Sequence, residues 1–176
     1  SDGRMSEEQL MTATNFVKEH FFFIEPYEDD VSLDAILNLV KEVDSKHKLA
    51  GFIIDPWNEI EHNVPTNKTE TQYIGDSLTR IRRFGRKHNI SPFIVAHPTK
   101  LLPPKVGEPF PVPTAYNING GAMWFNKADN ILTVYRNNDD TVSVYIQKIK
   151  FKQYGKKGVV DMSYDFKTGC YKETGI

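Results

Sequence analysis

A short apolar run that ends in an aspartate constrains the fold of this chain more than any other stretch. Residues 49–55 read Leu-Ala-Gly-Phe-Ile-Ile-Asp, and Pro56 follows directly. A continuous apolar run of this length is typical of a buried strand in a parallel sheet. In open sheets of that type, ligands bind beyond the carboxyl ends of the strands. Asp55 therefore either caps the following turn or contributes a carboxylate to a ligand site.

Helical patterns alternate with strand patterns over the first half of the chain. Helices are predicted to begin at Ser6, which forms a capping box with Gln9, at Ser32 and near Glu70. Their core-facing residues are predicted from the apolar spacing: Leu10, Ala13 and Val17; Leu33, Ile36, Leu37 and Val40; Ile74, Leu78 and Ile81. Buried strands are predicted at 20–24, 49–55 and 92–96. This alternation indicates βαβ units and a parallel α/β core.

The second half of the chain has a different pattern. Residues 98–119 hold six of the chain's ten prolines and show no periodicity, so a long loop is predicted there. One or two helical turns are predicted at 120–127. Alternating strands follow at 131–136, 141–150 and 159–166, with turns at 137–140 and 167–169. The predicted fold class is therefore α/β, a mostly parallel core followed by a C-terminal antiparallel β-meander.

Composition limits the classes of function. The 176 residues suffice for one domain with its own core. A formal net charge of −1 excludes binding of nucleic acid through bulk positive charge. The single cysteine, Cys170, excludes a disulfide framework and a cysteine-based zinc site. The apolar runs are too short to span a bilayer. These features predict a soluble cytoplasmic protein with no membrane partner.

Other polar residues are candidates for a phosphate site. His97 ends the strand predicted at 92–96, so it is expected at the same sheet edge as Asp55, where it either contacts a phosphate or bonds a loop carbonyl. Lys148, Lys150 and Lys152 alternate and are predicted to share one face of a strand. They form either a phosphate site or a solvated edge guarded by lysine against aggregation.

The basic run at 80–88 is interpreted as a solvated helical face, with contact to DNA or to another subunit as the minor alternative. Asp55, Glu59, Glu61 and His62 fall within eight residues. This spacing leaves open a metal cluster for phosphodiester hydrolysis, although the glutamates alternate with an apolar residue in a way typical of a solvent-facing edge.

Several motifs are missing. The chain contains no G-x-x-x-x-G-K-[ST] phosphate-binding loop and no G-x-G-x-x-G. The nearest approach, residues 121–128, lacks the second glycine and the hydroxyl that binds Mg²⁺. Residues 1–5 show no pattern and are predicted to be disordered, either a cloning remnant or a cut through a longer chain.

Four segments, taken in order, resemble the C-terminal ATPase domain of DnaB-like replicative helicases, in the branch of phage-type primase–helicases and Twinkle. They are GFIIDPWNEIEH at 51–62, FIVAHPTK at 93–100, NGGAMWFNKADN at 119–130 with the following VYR, and QKIKF from 147 closing with Gly155 and Gly158. The resemblance covers about residues 5–171. It implies a RecA-like three-layer core, here a partial domain at 6–176, that binds ATP between the subunits of a ring.

The resemblance implies roles for four residues around the nucleotide. Asp55 is similar to the Walker-B acid that coordinates Mg²⁺ beside ATP. His97 is similar to the polar sensor that couples the γ-phosphate to the DNA-binding loop. Lys148 and Lys150 match the lysine and arginine that reach the γ-phosphate of the neighbouring subunit. Position 150 departs from the family, because lysine supplies the charge of arginine but not its planar fork.

The resemblance also implies partners. Asn117, Asn119, Gly120 and Gly121 are similar to the loop that contacts single-stranded DNA in the central channel. A homo-hexamer and a primase domain or primase partner are implied as well. The family's phosphate-binding loop lies N-terminal to the position of Met5, so the chain is expected to be part of a longer helicase and not to hydrolyse ATP alone. The alternative is a catalytically inert RecA-like module that binds single strands or a replication partner.

Overall fold

The computed structural model describes residues 5–25, 31–99, 101–102, 104–105, 108, 110–137 and 141–174. Its helices are α1 (Glu7–His20), α2 (Leu33–His47), α3 (Glu70–His88) and α4 (Gly121–Lys127). Its strands are β1 (Gly51–Ile54), β2 (Ser91–Ile94), β3 (Asn130–Arg136), β4 (Val142–Ile149), β5 (Gly158–Asp165) and β6 (Cys170–Glu173). Within the described ranges, no helix has the length and apolar character needed to cross a membrane.

The helices begin where side chains satisfy their free backbone N–H groups. Ser6 and Thr69 open α1 and α3 with complete capping boxes, and the Ser32 hydroxyl accepts a hydrogen bond from the third residue of α2. Helix α3 ends at Asn89, which takes a left-handed conformation with φ 57°. Asparagine tolerates that conformation better than most residues. The predicted starts of these helices are confirmed.

Strands β1 and β2 form a parallel pair, in register from Gly51 opposite Ser91 to Ile54 opposite Ile94. One face of the pair lies on the core, where Phe52 and Ile54 pack with buried residues of α2 and α3. The core members from α2 and α3 are Leu33, Leu37, Val40, Ile74, Leu78 and Ile81, and α4 adds Trp124. The parallel α/β core is therefore confirmed in its type. It also brings the carboxyl ends of β1 and β2 to one edge.

The four C-terminal strands form a separate sheet in the order β3-β4-β5-β6, and every neighbouring pair is antiparallel. This arrangement confirms the predicted meander. The turn predicted at 137–140 falls mostly outside the described residues. The described residues of the long loop at 98–119 form neither α-helix nor strand, and contain one short 3-10 turn, Ala115–Asn117.

The strand predicted at 20–24 is wrong. Helix α1 continues to His20, the next residues form no strand, and the Phe23 side chain is 84% exposed. A buried strand needs a neighbour to pair with its backbone, and no described strand lies beside this segment. The core residues predicted for α1 are also wrong, because Leu10, Ala13 and Val17 are exposed. Their spacing is amphipathic, but no described element packs on that face.

The hairpin between β5 and β6 carries a pH-dependent contact. Hydrogen bonds from Lys172, from the Lys167 backbone N–H and from the Thr168 side chain lower the pKa of Asp165 to about 2. Because this pKa lies below the ordinary value of 3.8, the contact stabilises the fold above that value and is lost as the pH falls towards about 2. We expect the melting-temperature gap between wild type and Asp165→Asn to close from about pH 5 to about pH 2. Thermal unfolding across that range measures it, and a gap that stays constant would contradict the assignment.

Candidate functional site

Asp55 lies just past the end of β1, at the edge where β2 also ends. The chain turns immediately after it, and the Trp57 backbone N–H donates to the carbonyl of Val95, the residue that follows β2, at 2.7 Å. The Asp55 side chain is exposed, and within the described structure it has no hydrogen-bond or ion-pair partner. Within the described residues, its carboxylate accepts no hydrogen bond from the following turn, so it does not cap that turn. Among the described residues, none occupies this carboxylate, so it is accessible to a ligand from that part of the structure.

His97 follows β2 and lies at the same edge. Its backbone N–H donates to the Asn58 side-chain oxygen at 3.0 Å, and Asn58 belongs to the 3-10 turn Trp57–Glu59 that follows Asp55. The ends of the two parallel strands are therefore joined by a hydrogen bond. The His97 ring itself is exposed. The structure brings the two residues to one edge, as the sequence predicts, while their roles stay predictions.

The segment after His97 is bonded to the segment that resembles a DNA-contacting loop. Both the backbone N–H and the hydroxyl of Thr99 donate to the Asn117 carbonyl, at 2.6 and 2.8 Å. The Asn117 side-chain oxygen accepts from the Thr114 backbone and hydroxyl. Asn117 is thus a structural cap of its own turn. A conformational change at the end of β2 can therefore reach this loop through the hydrogen bonds between Thr99 and Asn117.

Asn119, Gly120 and Gly121 shape the start of α4. The Asn119 amide donates to the Glu70 carboxylate at 2.5 Å. Gly120 has φ +72°, a conformation that favours glycine. A Cβ on Gly121 would lie 2.6 Å from Tyr116 backbone atoms, so no side chain fits there. These features give all three residues a structural reason to be present, and contact with DNA stays a prediction.

Two tryptophans, which the motif analysis did not single out, connect the Asp55 edge to this loop. Trp57 and Trp124 are 4% and 6% exposed, and their rings meet edge to face with centroids 5.4 Å apart. The Trp124 indole N–H donates to the Asn119 carbonyl at 2.9 Å. They are the only tryptophans in the sequence, and each lies within a segment that carries the family resemblance. Their position within those segments was the signal in the sequence that could have singled them out.

A small cavity of about 80 Å³ lies between the Asp55 edge and the loop. Its lining is Trp57, Asn58, His62, Glu70, Tyr73, Ile74, Ile118 and Asn119. The His62 Nε2 atom lies 3.1 Å from the Trp57 carbonyl, and its Nδ1 atom is buried without a partner among the described residues. A cavity of this volume is large enough to hold ordered water.

The metal cluster considered for Asp55, Glu59, Glu61 and His62 does not form. No group of three or more histidine, cysteine, aspartate or glutamate side chains in the described part of the chain is arranged to hold a metal ion. His62 instead contacts the Trp57 carbonyl and ring. The phosphodiesterase alternative is therefore wrong in its geometry. A single carboxylate such as Asp55 remains sufficient for Mg²⁺ that is also bound by nucleotide phosphates.

Lys148 points into its own chain. Its ammonium donates to the Phe125 and Ala128 carbonyls, at 2.5 and 2.9 Å, and lies 5.0 Å from the centre of the Phe125 ring. These carbonyls belong to the end of α4, where free backbone oxygens favour a cation. Lys148 therefore caps α4 at the end opposite Gly120 and Gly121. The role that the resemblance implies, contact with a neighbour's phosphate, is not the contact seen here.

Loss of this cap should destabilise the fold. Lys148→Met keeps the apolar stem and removes both hydrogen bonds, so we expect the free energy of unfolding to fall by about 1–2 kcal/mol. Urea unfolding followed by circular dichroism measures it. The matched control is Lys46→Met, which removes an exposed lysine paired with Glu42 on the surface of α2 and should change stability little. Equal effects of the two substitutions would contradict the capping role.

Lys150 lies just beyond β4, which ends at Ile149. Lys152 begins a 3-10 turn, so the strand face predicted for all three lysines is wrong beyond Lys148. The Lys150 ammonium binds the Asp129 carboxylate at 2.8 Å, and the Arg82 guanidinium binds the same carboxylate oxygen at 2.9 Å. Burial alone would raise the pKa of Asp129. The hydrogen bond from Lys150 and the charges of Arg82 and Arg86 outweigh that effect and lower it.

No protein-family model matches the chain. The Twinkle homolog protein, chloroplastic/mitochondrial, of Arabidopsis thaliana is 32% identical over 180 residues, which cover 98% of this chain and 25% of the relative. The chain thus spans about a quarter of the length of that relative.

Two solved structures share the fold at 17% identity. One is described as an ATPase domain and has a TM-score of 0.61, over 80% of this chain and 50% of that one. The other, a DnaB-like replicative helicase described with its interactions with primase, has a TM-score of 0.72, over 95% of this chain and 42% of that one. The fold is therefore that of RecA-like helicase ATPase domains.

The recognition made from the sequence is confirmed. The chain corresponds to part of a DnaB-like helicase ATPase domain. Its similarity to the Arabidopsis Twinkle homolog extends along nearly the whole length of this chain.

Proposed function

We propose that this chain forms part of a replicative DNA helicase motor that couples ATP hydrolysis to movement along single-stranded DNA. The observation that carries the proposal is the bonded connection between the two strand ends and the loop at 117–121. Asp55 and His97 lie at one edge, and Thr99 joins that edge to Asn117. An ATP-driven motor needs such a connection, because a change at the nucleotide must reach the nucleic acid.

Asp55 is proposed to hold Mg²⁺ beside the phosphates of ATP. Mg²⁺ is commonly bound by one or two carboxylates together with substrate phosphates. Asp55, which is exposed and has no partner among the described residues, fits that requirement. When bound, the ion would neutralise charge on the transferred phosphoryl group. His97 is proposed to sense the γ-phosphate. Its exposed ring can rearrange while its backbone stays fixed to Asn58.

Single-stranded DNA is the proposed partner of the loop formed by Asn117, Asn119, Gly120 and Gly121. With a net charge of −1, the chain has no bulk attraction for DNA, so contact must come from local donors and backbone N–H groups. Binding to phosphates makes affinity fall steeply with salt. A primase domain or primase partner is proposed by analogy with the DnaB-like helicase that is described with its interactions with primase, and a homo-hexamer is proposed from the family resemblance alone. The chloroplastic/mitochondrial name of the Arabidopsis relative gives no support to the cytoplasmic prediction.

Lys148 and Lys150 are proposed to contribute at the boundary between subunits, with unequal roles. Lys148 is occupied by the carbonyls at the end of α4. Lys150 donates to a single carboxylate and its side chain is 33% exposed. An ammonium has three donors, so Lys150 retains donors for a phosphate bound by a neighbouring subunit. The chain without a phosphate-binding loop is proposed to be inactive by itself.

The test is ATP hydrolysis by the full-length protein that contains these residues, with and without single-stranded DNA. We expect DNA to stimulate turnover, because the loop is connected to the nucleotide edge. Trp124→Phe removes the indole donor to the Asn119 carbonyl and should reduce stimulation while basal turnover is kept. Absence of turnover under both conditions would refute the motor proposal.

A second candidate is the inert module that binds single strands or a replication partner. The observation in its favour is that both lysines are engaged within the chain, Lys148 by carbonyls and Lys150 by Asp129. It predicts DNA binding without any ATP turnover by the full-length protein.

A further inference from the structure

Asp129 holds Lys150 at two points. The Lys150 backbone N–H donates to the Asp129 carbonyl at 3.0 Å, and the Lys150 ammonium donates to the Asp129 carboxylate at 2.8 Å. The first contact fixes the course of the chain as it leaves β4, and the second fixes the tip of the side chain. Together they restrict both ends of a long and flexible side chain.

Asp129 is itself anchored. The Arg82 guanidinium binds the same carboxylate oxygen at 2.9 Å, and Arg82 belongs to α3, which packs on the core through Leu78 and Ile81. The Arg82 Nε atom is buried without a partner among the described residues, so the guanidinium is held close to the protein body. A rigid helix therefore fixes the carboxylate, and the carboxylate fixes the lysine.

This anchoring restricts the flexible lysine side chain at position 150. An arginine presents its donors in a rigid planar fork, whereas a lysine is a point charge on a flexible stem. A flexible cation loses entropy when it is held for transition-state stabilisation, so orientation in advance raises its effect. The ammonium gives one donor to Asp129 and keeps others for an anion.

We propose that Asp129 is a positioning residue that orients the Lys150 ammonium towards a phosphate group bound by the neighbouring subunit. The inference rests on the proposed function, and it adds the reason why a lysine can act there. Arg82 takes part indirectly, because it fixes Asp129. A purely structural interpretation treats the three residues as a partly exposed ion cluster that affects only the stability of the fold.

The experiment is a double-mutant cycle in the full-length protein, with kcat and KM for ATP measured in the presence of single-stranded DNA. We expect Asp129→Asn to lower kcat by about tenfold and to change KM by less than about twofold, because orientation matters in the transition state. In a Lys150→Arg background, the same change should lower kcat by less than about threefold, because the guanidinium fork is already organised. Asp165→Asn, which breaks the distant Lys172 pair, is the matched control and should leave kcat unchanged.

The possible outcomes separate the two proposals. Equal losses of kcat from Asp129→Asn in the wild-type and Lys150→Arg backgrounds, or no loss in either, overturn the positioning role while the motor remains. If Lys150→Ala leaves kcat unchanged, Lys150 does not act on the phosphate of the neighbouring subunit. The positioning role of Asp129 is then overturned as well. No turnover by the wild type overturns the proposed function itself. If Asp129→Asn fails to assemble, Asp129→Glu keeps the charge but shifts it, and unchanged kcat in that variant overturns the positioning role.

Discussion

Asp55→Asn is expected to lower ATP turnover by the full-length protein by about 100-fold or more, since it removes the charge that would hold Mg²⁺ beside the phosphates. The substitution is close to isosteric. Because the Asp55 side chain is exposed and has no partner within the described structure, its replacement breaks no contact of the fold. The loss should therefore appear in turnover and not in stability. Steady-state hydrolysis at saturating single-stranded DNA, together with a thermal unfolding curve, measures both.

The control for this prediction is Asp165→Asn, which makes the same chemical change on the β5–β6 hairpin. It is expected to leave turnover unchanged. Turnover that survives in Asp55→Asn would return Asp55 to the role of an ordinary turn residue at the end of β1. A fall in the melting temperature that accounts for the loss would also contradict the proposed metal-binding role.

Trp124→Ala should produce the largest loss of stability, about 3–5 kcal/mol, as is typical for removal of a buried large aromatic side chain. Its ring packs edge to face on Trp57, and its indole N–H bonds the Asn119 carbonyl. Alanine loses both contacts and leaves a cavity between the Asp55 edge and the loop. Urea unfolding followed by circular dichroism avoids the loss of the fluorescent probe.

Trp124→Phe separates the two contributions. Phenylalanine keeps much of the ring packing but cannot donate to Asn119, so a smaller loss of about 1–2 kcal/mol is expected. An alanine variant no less stable than the phenylalanine variant would show that the Trp57–Trp124 contact does not hold the loop to the Asp55 edge.

Local signals in the sequence predicted the elements well. The capping residues Ser6 and Ser32 each act within three residues of themselves, so they are readable without knowledge of the rest of the fold. The strand at Gly51–Ile54 and its partner at Ser91–Ile94 were likewise visible as apolar runs. Alternation in the last third of the chain predicted the antiparallel meander for the same reason, because strand periodicity is a local property.

The errors came from features that depend on distant partners. The apolar residues at 20–24 have the composition of a strand, but a strand forms only where another backbone can pair with it. Lys148 looked like a free cation because its carbonyl partners, at Phe125 and Ala128, lie about twenty positions earlier in the chain. The Arg82–Asp129 pair spans 47 positions, and no periodicity reports a contact at that distance.

The central claim is that these residues belong to a motor and not to a passive DNA-binding module. The most direct measurement is strand displacement from a forked DNA duplex by the full-length protein, with ATP and then with ADP. The account predicts strand displacement with ATP and none with ADP. It also predicts that the Asp55→Asn variant displaces no strand with ATP. Binding to the single-stranded arm without displacement or ATP consumption would contradict the account and favour the inert module.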